Sequence, residues 1–597
     1  MKSSKAMKNM FKKAPLALAL AGAMGTAHAV EFNFGELGVQ IDNNVSYGVA
    51  WRTEKPDAGQ IMTSNGGKGS SYNYDDGTLN YKKGDIYTNA VKWSGDLELK
   101  YQNYGAFFRA RAWYDTEIMD GDTRFKPLVD STKSYAGRGA ELLDAFVWAD
   151  YNIGETPVNL RLGRQVVNWG ESTFIQGGIN SINPVDASAF RRPGAEIKEG
   201  LLPVNMLYTS IGLTPDTTLE AFYQLQWEKT RTDPCGTLFS TIDFVADGCG
   251  PVLLTHSQDE VNGTFYDLQI VPRTSDDEPK DDGQYGLALR TYTDLFGGTE
   301  FGAYYMNIHS RVPYINGRLL VNPETSPIDF NQSRIEYQIA YPEDIQIMGI
   351  SFATSTANGA SLSGEISYKP NLPLQWNAFE LIFAGVPNAY PHSRFYQQRK
   401  AEAGGDVNAI LNTIVDGYDE FDVWQAQMTY IQFFDRVLGA DRLAFVAEVG
   451  VNHVAGLPDT DDARYGRSGA YGIGTTTGGD VCSDTTSSLK NENADYCTDE
   501  GYVTEWSGGI RVRTSLDYNN AFAGVNMTPS LTLSYDKGYG PEPGSQFIDE
   551  RLAYSLGVSF VYLNNASLDV AYTGFSGNRY DQMVDRDNVS LALKYAF

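Results

Sequence analysis

The last nine residues alternate without exception. Val589, Leu591, Leu593, Tyr595 and Phe597 form one row, and Ser590, Ala592, Lys594 and Ala596 form the other. Successive side chains of a strand point to opposite faces, so this segment wants an apolar environment on one side and accepts water on the other. A helix would repeat its apolar positions every three to four residues, and a strand buried on both faces would read as a continuous apolar run. Neither fits.

The same alternation recurs upstream. Leu552, Tyr554, Leu556, Val558, Phe560 and Tyr562 form one row, and Ala566, Leu568, Val570 and Tyr572 the next, with only Leu563-Asn564-Asn565 between them. Their opposite faces carry Ser555, Gly557, Ser559, Ser567 and Asp569. Apolar-out, small-polar-in segments of about ten residues are the pattern of a transmembrane barrel. A period-2 strand ending in Phe resembles the assembly signal that closes outer-membrane barrels. Further back, Leu531, Leu533 and Tyr535 continue the pattern. Trp506, Ile510, Val512, Thr514 and Leu516 do so opposite Glu505, Arg511 and Arg513, and then Leu443 to Val449 and Trp424 to Tyr430.

Short turns, such as Asn103-Tyr104, Gly154 to Pro157, Thr214 to Thr217 and Asp435 to Ala440, alternate with long loops near 54–84, 117–140, 169–203, 229–283, 310–345, 370–417, 455–502 and 537–550. That asymmetry matches periplasmic turns and extracellular loops. Strand starts near Asn43, Thr88, Gly105, Glu141, Val158, Val204, Thr218, Gln284, Thr299, Asp344, Ser361, Tyr418, Asp441, Val503, Thr528, Leu552, Ala566 and Asn588 give about eighteen strands, with sixteen the alternative count. The reading is all-β: a transmembrane antiparallel barrel over 43–597. A secreted sandwich or propeller would explain neither the terminal Phe strand nor the turn asymmetry.

The N-terminus agrees. Lys2, Lys5, Lys8, Lys12 and Lys13 precede an apolar stretch from Ala14 to Gly25 and the small-x-small site Ala27-His28-Ala29. This reads as a secretory signal peptide over 1–29, followed by a short periplasmic segment over 30–42. The destination is the outer membrane of a Gram-negative cell, among its lipids. The 37 Tyr and 29 Phe suit many water–lipid boundary positions. A net charge of −27 makes nucleic acid a poor partner. Acids gather in loop-like stretches, Ser275 to Gly283 and Asp459 to Asp462, as solvated surface or as bridges through divalent cations to anionic glycolipid. Cys235 with Cys249, and Cys482 with Cys497, read as loop-stapling disulfides of an oxidising compartment.

A barrel of this size encloses more space than its wall side chains can fill. The segment Trp169 to Pro203 is the candidate filler. It breaks the strand pattern yet carries Trp169, Phe174, Ile175, Ile179, Ile182, Phe190, Ile197, Leu201 and Leu202, together with Arg191, Arg192 and Lys198. An inward constriction with an amphipathic lining fits; a surface loop packed on its neighbours is the alternative. Arg109, Arg111, Arg161, Arg511 and Arg513 fall on the inward rows. They could attract an anionic group or pair with inward acids such as Asp144, Glu448 and Glu505. Outside the leader the only histidines are His256, His309, His392 and His453, none in a hydrolase or metalloprotease setting. No enzyme, cofactor or metal is expected.

The stretches LRLGRQVVNWGES, INPVD and RRPGAEIKEGLLPVNMLY within Leu160 to Tyr208, FNFGELGVQIDNNVSYGVAWR at Phe32 to Arg52, and SYKPNLPLQ at Ser367 to Gln375 resemble a proteobacterial outer-membrane family, the domain of unknown function DUF1302. The resemblance implies an outer-membrane barrel. It also implies a periplasmic companion with a lipoprotein-carrier-like fold and an inner-membrane exporter of the resistance-nodulation-division type. That company suggests passage of a hydrophobic, lipid-like small molecule. More distantly the architecture is similar to the long-chain fatty-acid channels, although Val30 to Asp42 is too short for their N-terminal hatch. Three functions stay open: a channel for a hydrophobic or amphipathic molecule, a barrel anchoring a periplasmic partner, and a general diffusion porin.

Overall fold

The computed structural model describes residues 30–254, 269–327, 329, 331–385, 393–475, 482–483, 490–544 and 546–597. The leader, His256 and His392 lie outside these residues. One antiparallel sheet holds nineteen strands, and eighteen of them close into a barrel. In chain order these are β1 (Leu37–Arg52), β2 (Ile86–Tyr101), β3 (Tyr104–Asp115), β4 (Arg138–Ile153), β5 (Thr156–Gln165) and β6 (Val204–Thr214). Then come β7 (Thr217–Gln224), β8 (Tyr285–Thr293), β9 (Thr299–Ile308), β10 (Ile345–Ser355), β11 (Ser361–Gln375) and β12 (Tyr418–Asp435). The last are β13 (Arg442–Ala455), β14 (Trp506–Phe522), β15 (Val525–Lys537), β16 (Leu552–Tyr562), β17 (Ala566–Ser576) and β18 (Asn588–Ala596). Each pairs with its sequence neighbours.

The ring closes between β1 and β18, in a register running from Asn44 opposite Ala596 to Arg52 opposite Asn588. Just beyond it the Asn43 N–H donates to the Phe597 carbonyl at 2.7 Å, and the Phe597 N–H donates back at 2.9 Å. The terminal aromatic is thus the last rung of the seam. Closure leaves no unpaired edge, which a sheet in lipid requires.

The wall starts earlier than the sequence pattern suggests. β1 begins at Leu37 rather than near Asn43, because Leu37, Val39 and Ile41 already follow its alternation. The nineteenth strand, Val30–Phe34, folds back on Leu37–Ile41 around Gly35, whose φ of 68° suits glycine. Residues 30–42 are therefore a hairpin continuous with the wall.

Outward rows are apolar and bounded by aromatics at both ends. Tyr101, Tyr104, Tyr151, Tyr292, Phe433 and Tyr562 sit exposed beside the short turns, and Tyr114, Tyr223, Tyr285, Trp424, Trp506 and Tyr535 near the long loops. Leu162, Leu207, Ile350, Met428, Val449 and Leu556 are among the exposed apolar residues between them. Two aromatic girdles around an apolar band mark the membrane-spanning height. Among the described residues no helix is long and apolar enough to cross a membrane.

The long loops are not loose. They share a core that includes Trp227, Tyr337, Trp376, Tyr396, Tyr465 and Tyr471, and carry a small sheet of Tyr314–Leu319, Ile335–Ala340 and Ile414–Val415. Disulfides Cys235–Cys249 and Cys482–Cys497 staple this outer cap.

Candidate functional site

The segment between β5 and β6, residues 166–203, enters the barrel and touches opposite walls. Local sequence sets its course. Gly170 and Gly177 take φ of 84° and Gly194 takes 71°, all in the left-handed region that favours glycine. Asp186 caps the short helix Ala187–Arg191 by accepting the Ala189 N–H at 3.0 Å. A second turn of helix, Ile197–Gly200, precedes Pro203.

On one side the anchors are two wall carboxylates. Glu448, midway along β13, accepts the backbone N–H groups of Thr173 at 2.8 Å, Phe174 at 2.6 Å and Ile175 at 2.8 Å. Glu365 on β11 accepts those of Glu171 at 2.6 Å and Ile179 at 3.0 Å, and the Gln427 amide at 2.7 Å. Gln425 donates to the Gln176 carbonyl at 3.0 Å, and the Lys369 ammonium donates to that of Gly177. Gly170 and Gly178 lie directly on Glu365, and a Cβ at either would collide with its carboxylate. Charge-assisted bonds of this kind are each worth about 1.5–3 kcal/mol.

The opposite side is held by ion pairs from β2 and β3. Arg111 reaches Asp186 at 2.5 Å and Glu141 at 2.8 Å, and donates to the Glu199 carbonyl. Lys92 reaches Glu199 at 2.8 Å. Asn44 of β1 donates to Glu196 at 2.8 Å. Between the two anchorages, Trp169 is 1% exposed. It packs on Phe222 and Tyr304 with ring centroids 5.0 and 6.0 Å away, and donates to Glu220 at 2.7 Å. Ile179, Ile182, Met206 and Met306 complete this apolar filling.

The inner faces of β14–β17 differ in kind. Ser515, Ser530, Thr532, Ser534, Ser555, Gly557, Ser559, Ala571 and Thr573 are small, and all are half-exposed although they point inward. They border the part of the lumen left open. Arg513 projects from this wall, exposed and without an ion pair among the described residues. From the crossing segment, Ile197 is 72% exposed and Phe190 39%.

The other basic residues on the inward rows are engaged. Arg109 pairs with Asp96 at 2.8 Å and Asp144 at 3.3 Å, and Arg511 with Asp536 at 2.5 Å. Arg161 receives support from Asn159 at 3.0 Å and lies over the Tyr208 ring. Lys198 is within 3.5 Å of Asp96. Of the acids read as their partners, Asp144 is one. Glu448 instead binds the segment backbone, and Glu505 approaches His453 at 3.7 Å.

Arg191 and Arg192 are not a free basic pair. Arg192 is buried, stacked 4.3 Å from the Trp113 ring and donating to the Ala136 carbonyl at 3.2 Å. Arg191 pairs with Asp233 at 3.1 Å and lies over Phe239. Both line a recess with Tyr87, Asp115 and Phe239. Phe174 is half-buried, held through its backbone by Glu448.

Several solved structures are similar to this chain at low identity. OccAB2 of Acinetobacter baumannii is 10% identical, with 94% of this chain and 98% of that one covered and a TM-score of 0.39. OpdK of Pseudomonas aeruginosa, solved with vanillate, is 9% identical over 94% and 98%, with a TM-score of 0.37. OprB of Pseudomonas putida is 8% identical over 94% of each chain, with a TM-score of 0.33. No curated protein sequence matches. The family model described as "Protein of unknown function (DUF1302)" matches residues 10–597, and the chain belongs to that family.

Proposed function

We propose that this protein is an outer-membrane channel for a hydrophobic or amphipathic small molecule, constricted by residues 166–203. One observation carries the reading: a segment tied to opposite walls by Glu365 and Glu448 on one side and Arg111 and Lys92 on the other. It narrows the lumen without covering the small-residue face of β14–β17. What remains is bordered by hydroxyls on the wall, by Ile197 and Phe190 on the segment, and by the charge of Arg513. A long amphiphile can lay its chain on the apolar side and its headgroup on the polar one, whereas a water-filled porin has no need of exposed Ile and Phe in its lumen. A periplasmic lipoprotein-carrier-like companion and an inner-membrane exporter are the partners this reading expects at the short-turn end.

Proteoliposome flux tests the substrate class. A fluorescent medium-chain carboxylate should equilibrate faster through the protein than a neutral sugar of equal mass. Equal rates for both would point to a general diffusion porin, and no flux of either to an anchoring barrel.

A further inference from the structure

We propose that Asp75, Asp76 and Asp243 form a binding site for one hard divalent cation of the calcium class, joining the first outer loop to the disulfide-closed loop of 235–249. One carboxylate oxygen from each residue falls within 4.8 Å of the others. The three residues are 0%, 4% and 9% exposed. Asp75 Oδ2 accepts the Met62 N–H and the Asn65 amide, each at 3.0 Å. Asp76 Oδ2 accepts Lys126 Nζ at 3.0 Å, and Asp243 Oδ2 accepts the Asp76 N–H at 3.2 Å.

Asp76 Oδ1 and Asp243 Oδ1 are buried, and neither has a hydrogen-bond partner among the described residues. A carboxylate withdrawn from water needs a compensating charge or donor, and among the described residues Lys126 is the ammonium that an ion pair joins to this cluster. A divalent cation supplies both the charge and the missing ligation. The donor set is all oxygen, without Cys or His, which selects calcium or magnesium over zinc or copper.

The frame around the cluster is stiff. Asn73, beside it, donates to the Leu253 carbonyl at 2.9 Å and accepts the Leu253 N–H at 2.7 Å, and its carbonyl accepts the Asp243 N–H at 2.9 Å. Tyr74 packs edge-on against Phe244. Thr237, Leu238 and Phe239 belong to the same disulfide loop and roof the recess that holds Arg191. A bound cation therefore fixes that roof to the barrel through the loop that follows β1. The site stands independently of the channel reading.

Calcium itself is the probe. The full-length protein in detergent, stripped with chelator, is titrated with calcium chloride by calorimetry, and amide exchange of 237–249 is followed with and without calcium. Wild type should show one saturable site per chain and at least tenfold slower exchange in calcium. Asp76→Asn and Asp243→Asn should each weaken binding at least tenfold, while Asp462→Asn in another acidic loop leaves it unchanged. The proposal is overturned if wild type shows neither saturable binding nor calcium-dependent protection. It is equally overturned if both variants, with the heat-modifiable mobility of a folded barrel, bind calcium as wild type does.

Discussion

The carboxylate of Glu448 on the barrel wall accepts the backbone N–H of Phe174 at 2.6 Å, across 274 positions of chain. With Thr173 and Ile175 bound to the same side chain, one residue fixes the middle of the crossing segment. Glu448→Ala removes the two carboxylate oxygens that accept these three hydrogen bonds. At about 1.5–3 kcal/mol for each such bond, amide exchange at 173–175 should accelerate at least tenfold, while the strands of β13 stay protected. Hydrogen-exchange mass spectrometry in detergent checks this; unchanged protection at 173–175 would mean the segment is held by its apolar packing instead.

The seam makes a second prediction. Leu591 faces lipid on β18, opposite Val49 and Val570. An Arg at mid-membrane on that face costs about 2–4 kcal/mol. Leu591→Arg should lower the folded fraction seen as heat-modifiable mobility on a gel. Deleting Phe597, which removes both hydrogen bonds to Asn43, should do the same. An unaffected Leu591→Arg barrel would contradict the facing assigned to this strand.

The two disulfides close loops with sequence separations of 14 and 15, a size for which closure is worth about 3 kcal/mol. Both lie in the outer cap, away from the strands. Reduction should open 235–249 and 482–497 to protease while heat-modifiable mobility persists. Loss of the barrel on reduction would show that cap and wall fold as one unit.

Arg513 and Arg192 should respond differently to substitution. Arg513 faces the open part of the lumen without an ion pair among the described residues, so Arg513→Glu should shift the reversal potential in a salt gradient toward cations. Arg192 is buried against Trp113, so Arg192→Ala should destabilise the recess and leave ion selectivity unchanged. Equal shifts from both would place Arg192 on the path.

Much of the wall was legible because each strand has one face in lipid. Starts at Val204, Thr299, Ser361, Tyr418, Leu552, Ala566 and Asn588 coincide with the observed strands, since alternation fixes register where one face must be apolar. The segment around Trp169 stood out because its apolar residues had no strand to belong to. Its anchors did not stand out. Glu365 and Glu448 bind backbone N–H groups, which carry no side-chain signature, from positions nearly two hundred residues or more away in sequence. The available hint was the row of glycines at 170, 177 and 178, the first and last of which lie directly on Glu365. The partners of the basic pair at 191–192 were hidden as well, because Asp233 and the Ala136 carbonyl come from other loops. The cap core was hidden because Trp227, Trp376 and Tyr471 come from separate loops without periodicity.

Planar-bilayer conductance of a variant lacking Phe174 to Arg192 tests the central claim most directly. The wall strands keep their own hydrogen bonds, so the variant should still show heat-modifiable mobility. If residues 166–203 constrict the lumen, its single-channel conductance should rise several-fold above wild type, and the noise of a partly blocked pore should vanish. A folded variant whose conductance equals that of wild type would contradict the account.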